Sequence, residues 1–304
     1  MITLTDKLEE ANFVTHAGNF HADDVFSTVL MERLFGDITL IRLNDYKDDG
    51  TKIAYDIGLG KFDHHGADFD KKRENGIHYC GFGLLWQAYG LSYLKKKKVA
   101  NPEKVFEVLD ELLVIGIDAF DNGEYTVDAP FNVYTLSSLI EQFRPKIGKK
   151  ENENECFLAA VTFADTIFEQ ILDDAIGKVY AMNEIMKKAD QIKDNILILD
   201  EYIPYEYAIF KLGLNVNFVV YPSNRGCYAA HTVPTRYKGF TPKIPFKKEW
   251  AGLRDEKLQK VSGIKTAQFC HKQCFLATAK TKEDAIHVVV YNQFFSGFSR
   301  KNQH

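Results

Sequence analysis

Four of the nine histidines in this chain fall within its first 65 residues, each a few positions from an aspartate. The segments are His16-x4-His21-x-Asp23, then Asp56 after an apolar run, then Asp63-His64-His65, and later Asp118 with Asp121. Carboxylates brought within about 4 Å of one another repel by ~4 kcal/mol per pair at an effective dielectric of 20, so a gathering of them calls for cations. Imidazole and carboxylate ligands with no thiolate nearby disfavour a structural zinc site and suit Mn²⁺, Co²⁺ or Fe²⁺. Six or more candidate ligands exceed the needs of one four-coordinate ion. Two ions about 3.5–4 Å apart would share a bridging carboxylate, lower the pKa of a bound water and clamp phosphoryl oxygens. That is hydrolytic phosphorus chemistry. Taken singly, each segment has an ordinary structural reading: Asp56 as a turn former, His64-His65 as one buried and one exposed ring, His16 to Asp23 as a capping loop. The combination carries the functional reading.

The elements around these residues must bring them together. Residues 12–15 form a short apolar run into the His16 loop, and from Val25 to Leu34 apolar residues recur at helical spacing until Gly36. Further strands are expected at 38–43 and 53–57, so strand and helix alternate as in a parallel α/β sheet. In an open parallel sheet, ligands gather outside the carboxyl ends of the strands, where three of the segments fall. Asn101-Pro102-Glu103 opens a helix through Leu113 to about Asp118, ended by Asp121-Asn122-Gly123. A long helical stretch, about 153 to 190, suits a connector. Strand-like runs follow at 196–199, 207–210, 217–221 and 227–233, and then a Pro- and Lys-rich stretch at 234–248. The expected organisation is therefore α/β at 1–190, with helices on both sheet faces, and a smaller α+β domain at 191–304.

At 304 residues, with 45% hydrophobic and 26% charged residues, the chain can bury a sizeable core and is far from the disordered regime. A formal charge of −4 supplies no global positive field to hold duplex nucleic acid. Five scattered cysteines and no basic-then-apolar leader predict reduced thiols and a cytoplasmic location, and no apolar stretch approaches a membrane span. Lys95 to Lys98 reads as a solvated helix end.

In the second half, Arg254 follows Trp250-Ala-Gly-Leu, and a planar guanidinium suits bidentate contact with phosphate, a structural salt bridge being the alternative. Arg236, Lys238, Lys243, Lys247 and Lys248 interleave with Tyr237, Phe240, Phe246 and Trp250, a pattern that tracks single-stranded nucleic acid and also occurs in exposed hairpins. Cys270-His271-x-x-Cys274 lacks a second ligand pair, so packing is expected of the thiols, with substrate contact open for His271.

Laid out in this order, the segments resemble the DHH phosphoesterase superfamily through Asp63-His64-His65, and more closely its melanocyte proliferating gene one (MYG-type) family. The matching stretches are Thr15 to Asp24, Tyr55 to Gly60, Phe62 to His65, Ile117 to Gly123, Trp250 to Arg254 and Val261 to Ile264. The resemblance implies a dinuclear centre, usually manganese, with Mg²⁺ or Co²⁺ as alternatives, in a DHH-type domain that a long helix joins to a substrate-binding domain. It implies His16, His21 and Asp23 as ligands, Asp56 as the bridging carboxylate, His64 as a ligand and His65 as a support or phosphate contact. The fourth motif supplies Asp118 or Asp121, with Asp118 favoured. It implies substrate contact by Arg254 and His271, and Arg236 of the interleaved basic segment is the further candidate for reading the substrate. His21 stands where the superfamily's commonest first motif has an aspartate, so a neutral ligand replaces an anionic one, which is expected to weaken one metal position or to change its preference. The implied activity is 3′-to-5′ exonucleolytic hydrolysis of RNA or short oligonucleotides. A small-molecule phosphohydrolase and a non-catalytic metal-binding scaffold are the alternatives. RNA or an oligonucleotide is the expected partner, a homodimer the candidate assembly, and no membrane partner is expected.

Overall fold

The computed structural model describes residues 1–300, with side chains through residue 293. The last four residues of the expected 191–304 domain lie outside the described residues. The fold is α/β and divides into two compact units, Met1–Ile176 and Gly177–His304.

In the first unit, strands β1 (Ile2–Leu4), β2 (Phe13–His16), β3 (Ile38–Leu43) and β4 (Ile53–Ala54) form a wholly parallel sheet in the order β1-β3-β2-β4. Val14 pairs with Ile41 on one side and Ala54 on the other. After β2 the chain passes through helix α1 (Ala22–Phe35) to β3 on one side, then returns to β4 on the other. The carboxyl ends of β2 and β4 therefore flank a topological switch point, where such sheets open a crevice. Helix α1 is buried without a break from Ala22 to Met31 and stops at Gly36, whose φ of +88° suits only glycine.

Helix α2 (Gly81–Leu85) runs through a π-helical turn, Trp86–Gly90, into α3 (Leu91–Lys96). Helix α4 (Pro102–Leu109) continues through a second π-helical turn, Asp110–Val114, into α5 (Ile115–Asp121), so the single helix expected from Asn101 is real but locally widened. Asn101 precedes it in a left-handed conformation and makes no side-chain cap. Helices α6 (Leu136–Glu141) and α7 (Glu153–Met186) follow. The four lysines at the end of α3 are exposed, and Lys95 and Lys97 pair with Glu103 and Glu169.

The second unit holds a five-stranded mixed sheet of β5 (Ile196–Ile198), β6 (Phe218–Pro222), β7 (Tyr228–Thr232), β8 (Ala267–Cys270) and β9 (Leu276–Ala279) in the order β5-β6-β7-β9-β8. Residues 207–210, expected as a strand, lie instead in helix α8 (Tyr205–Lys211). A four-residue apolar run fits either period, and here Tyr205, Ala208 and Ile209 fall on one helical face against Leu197 and Val219. Helices α9 (Asp255–Ser262) and α10 (Lys282–Arg300) cover the other sheet face through Leu258, Ala285, Val288 and Val289. No helix among the described residues is long and apolar enough to cross a membrane. All five cysteines are free thiols.

Candidate metal centre

His16 ends β2, and the loop after it is clamped at both sides of Gly18. The Gly18 N–H donates to Glu153 Oε1 at 2.7 Å, while Arg42 donates to the Gly18 carbonyl at 2.9 Å and to the same Glu153 oxygen at 2.8 Å. Arg42 itself lies 4.4 Å from the Phe157 ring centroid. The loop then delivers His21 to the start of α1, where its N–H donates to Asp24 Oδ1 at 2.7 Å. The two adjacent aspartates diverge. Asp24 Oδ2 faces His16 Nε2 at 3.4 Å, and Asp23 is held by the backbone N–H groups of Gly81, at 3.0 Å, and Phe82 at the start of α2.

Asp56 sits just beyond β4 in the left-handed region, φ +55°, which aspartate tolerates better than most residues and which turns the side chain off the strand line. Its N–H donates to the Phe62 carbonyl at 3.0 Å, closing the loop that carries Asp63, His64 and His65. Asp63 accepts from the Leu59 N–H at 2.6 Å, the His65 N–H at 3.0 Å and His65 Nδ1 at 2.8 Å. It is a loop lock. Burial works to raise its pKa, but the bonds from His65 and Leu59 hold it down at about 2.

The strand ends and loops converge. Asp56 Oδ2 lies 3.2 Å from His16 Nε2, and Asp56 Oδ1 lies 3.6 Å from His64 Nδ1 and 3.4 Å from His65 Nδ1. His64 Nε2 is 3.1 Å from Asp121 Oδ2, and His64 Nδ1 is 3.7 Å from Asp23 Oδ2. Two triads result, His16 with His21 and Asp56, and Asp23 with His64 and Asp121, each with ligand atoms within 4.8 Å of one another. Asp56 turns one oxygen toward each triad. Asp56, Asp63, His64 and His65 form a third group by the same measure. A cavity of about 690 Å³ opens on this cluster, lined by His16, His21, Asp56, His64, His65 and Asp121 among others.

The electrostatics match a site built for cations. Burial, then the charges of Asp56 and Asp121, push the Asp23 carboxyl well above its usual range. Burial raises Asp24 to about 7 against the pull of His16. His16 is desolvated, which opposes its charged form, yet the bond to Asp56 and the charges of Asp24 and Asp56 raise it to about 9. Burial lowers His21, partly offset by Asp121. Asp24 Oδ2, Asp56 Oδ1 and His64 Nδ1 are buried without a hydrogen-bond partner. Orphaned acceptors of this kind, in a set of only imidazoles and carboxylates, fit divalent cations.

Asp118 and Asp121 separate clearly. Asp118 is buried and accepts from Arg73 Nε at 2.6 Å and from the Cys80 N–H at 3.1 Å, with the Cys80 thiol 2.9 Å away. Arg73 also donates to Asp110 at 2.5 Å and lies 4.5 Å from the Tyr79 ring centroid. The geometry thus occupies Asp118 with a guanidinium and gives Asp121 to the triad, the reverse of the order of preference drawn from sequence.

Residues Arg73, Cys80, Gly81 and Gly83 went unread in the sequence. A Cβ on Gly83 would fall 2.3 Å from Asp118 Oδ1, and one on Gly81 would fall 3.0 Å from the Phe62 carbonyl. The signal was present: two glycines flanking one residue at a helix start mark backbone N–H groups that an anion can approach.

Arg254, Arg236 and His271 belong to the second unit. Arg254 precedes α9 with its guanidinium 4.5 Å from the Phe269 ring centroid, Arg236 lies in the exposed stretch after β7, and His271 sits in the β8–β9 turn, 4.3 Å from the Phe275 ring. Phe246 and Trp250, part of the interleaved basic and aromatic pattern, are core residues, whereas Phe240 is exposed. Burial pushes the Cys270 thiol up to about 12, consistent with packing.

A family model described as an uncharacterised protein family (UPF0160), named MYG1_exonuc, matches residues 12–291. The MYG1 protein of Dictyostelium discoideum is 26% identical over 92% of this chain and 95% of its own length. The MYG1 protein of Chlamydia muridarum is 28% identical over 92% of this chain and 96% of its own. A human protein named MYG1 exonuclease is 25% identical over 90% of this chain and 83% of its own. No solved structure gives a significant match.

Proposed function

The chain belongs to the MYG1 family, and on that premise we propose that it is a metal-dependent phosphodiesterase of DHH type, acting as a 3′-to-5′ exonuclease on RNA or short oligonucleotides. The observation that carries this is Asp56, one oxygen toward His16 and the other toward His64, at the meeting of two ligand triads. His16, His21 and Asp56 would hold one ion, and Asp23, His64 and Asp121 the other, with Asp56 shared. Manganese is the proposed metal, with Mg²⁺ or Co²⁺ as alternatives, on the basis of the oxygen and nitrogen donor set. A bound pair of such ions supplies an activated water and positive charge for the phosphoryl oxygens.

The chain's own residues do the remaining work. Asp63 holds His65 Nδ1 and so leaves Nε2 for a phosphate oxygen at the cavity wall. The Gly81 and Phe82 N–H groups fix Asp23, and the Asp24 bond to the His21 N–H fixes the start of α1, so ligand atoms are oriented before substrate arrives. Arg254, Arg236 and His271 are the proposed substrate-binding residues of the second unit.

In a Mn²⁺-supplemented assay on a 5′-labelled RNA oligomer, Asp56→Ala should cost on the order of 10³-fold in kcat while the protein stays folded. Unchanged hydrolysis would refute the assignment. The net charge of −4 favours a small phosphorylated substrate as the second reading. Faster turnover of pyrophosphate or a cyclic dinucleotide than of RNA would select it.

A further inference from the structure

The second unit's sheet has a face that α8 covers over β5 and β6. Across the other strands the register sets Tyr221 opposite Ala229, Ala229 opposite Thr278 and Thr278 opposite Phe269. Two aromatic walls thus stand either side of two small residues. With strands about 4.8 Å apart, the trough between them is roughly 14 Å across, the width of a nucleotide with its backbone. A cavity of about 470 Å³ occupies it, with Arg225 and Arg254 on its wall. A second cavity of about 380 Å³ adjoins through Tyr221 and is lined by Tyr202, Tyr205, His231, Lys178 and Lys238.

Ring contacts connect the walls of the two by way of Phe275 and His271, which line neither cavity. Tyr202 is 5.2 Å from Tyr221, which is 5.7 Å from Tyr205, itself 6.1 Å from His231. From His231 the series passes to Phe275 at 5.4 Å, His271 at 4.3 Å and Phe269 at 6.2 Å, ending under the Arg254 guanidinium. Four cationic residues and two carboxylates, Glu206 and Asp255, line the two cavities. That excess is local, in a chain whose net charge is negative. Stacking surfaces in series beside scattered cations suit a flexible polyanion whose bases are unpaired, and a rigid duplex could not splay its bases onto them.

We propose that this trough binds single-stranded RNA, with bases stacked on Tyr202, Tyr221 and Phe269 and phosphates paired with Arg225 and Arg254. The proposal rests on the phosphodiesterase reading for its substrate class and deepens it, since a strip of this length engages several nucleotides and favours an oligomer over a small phosphate ester.

Binding can be read without catalysis. Fluorescence anisotropy of a labelled 12-nucleotide oligouridylate, with the full chain in EDTA, should show saturable binding that weakens with salt. Tyr202 is 61% exposed, so its variants should fold. Tyr202→Ala should weaken binding roughly tenfold and Tyr202→Phe should restore it, because the ring and not the hydroxyl stacks. Arg225→Gln should lower the slope of log K against log salt by about 0.7. Tyr202→Trp should report the oligomer by quenched emission. Wild-type affinity in both Tyr202→Ala and Arg225→Gln, equal affinity for a duplex, or binding of an aromatic-rich peptide in place of RNA would overturn the proposal. Loss of hydrolysis on every phosphodiester under Mn²⁺, with Tyr202-dependent binding intact, would instead overturn the phosphodiesterase reading.

Discussion

The two units solve opposite problems. At the candidate metal centre in the first, Asp23 and Asp56 are buried, and Asp23 is bonded to backbone N–H groups. The trough in the second is walled by half-exposed rings and by Arg225 and Arg254. A reacting centre must hold charges against their mutual repulsion, which takes burial, fixed donors and neutralising partners. A stacking surface reads any base and needs only exposed rings and nearby cations. Single substitutions should therefore be felt as stability and metal affinity in the first unit, and as binding in the second.

The sharpest way to break this contrast is Arg73→Met. It strips the guanidinium from the buried Asp118 and the part-buried Asp110, leaving both without their cationic partner, so unfolding free energy should fall by about 3–5 kcal/mol in urea titrations. A loss under about 1 kcal/mol would mean that this network does not brace the first unit. Next in size is Gly83→Ala, whose Cβ would meet Asp118 and shift the start of α2 that holds Asp23. Mn²⁺ affinity, followed by calorimetric titration, should drop about 10–100-fold. A neutral result would show that α2 does not orient Asp23. Gly116→Ala, in α5 with no atom within 4 Å of the added Cβ, should instead stabilise by about 0.5–1 kcal/mol through helix propensity. Smallest is Arg254→Ala, expected to leave unfolding within about 0.5 kcal/mol of wild type while it weakens RNA binding. A large stability loss there would place Arg254 among structural residues.

The parts that were legible in sequence lie at strand ends. His16 ends an apolar run that forms β2, and Asp56 follows a run expected as a strand at 53–57, of which only Ile53–Ala54 is strand because the chain turns at Asp56, φ +55°; their chemistry is unusual enough to stand out. Asp118 and Asp121 were not separable, since they sit three apart on one helix and what divides them is Arg73, distant in sequence and in no recognisable motif. The helices α2 and α3 escaped because Gly81, Gly83 and Gly90 lower helix propensity and the π-helical turn at Trp86 shifts the apolar period. In the second unit, 207–210 was ambiguous by length alone. The trough was invisible because it is assembled by register, with Tyr221, Ala229, Thr278 and Phe269 contributed by four separate strands.

On the proposed function, two cations share Asp56 in a single crevice of the first unit. Crystals grown with Mn²⁺ and measured at its absorption edge test it directly. Two anomalous peaks should appear, one among His16, His21 and Asp56 and the other among Asp23, His64 and Asp121. No peak at Asp56, or a peak held by Asp118 in place of Asp121, would contradict it.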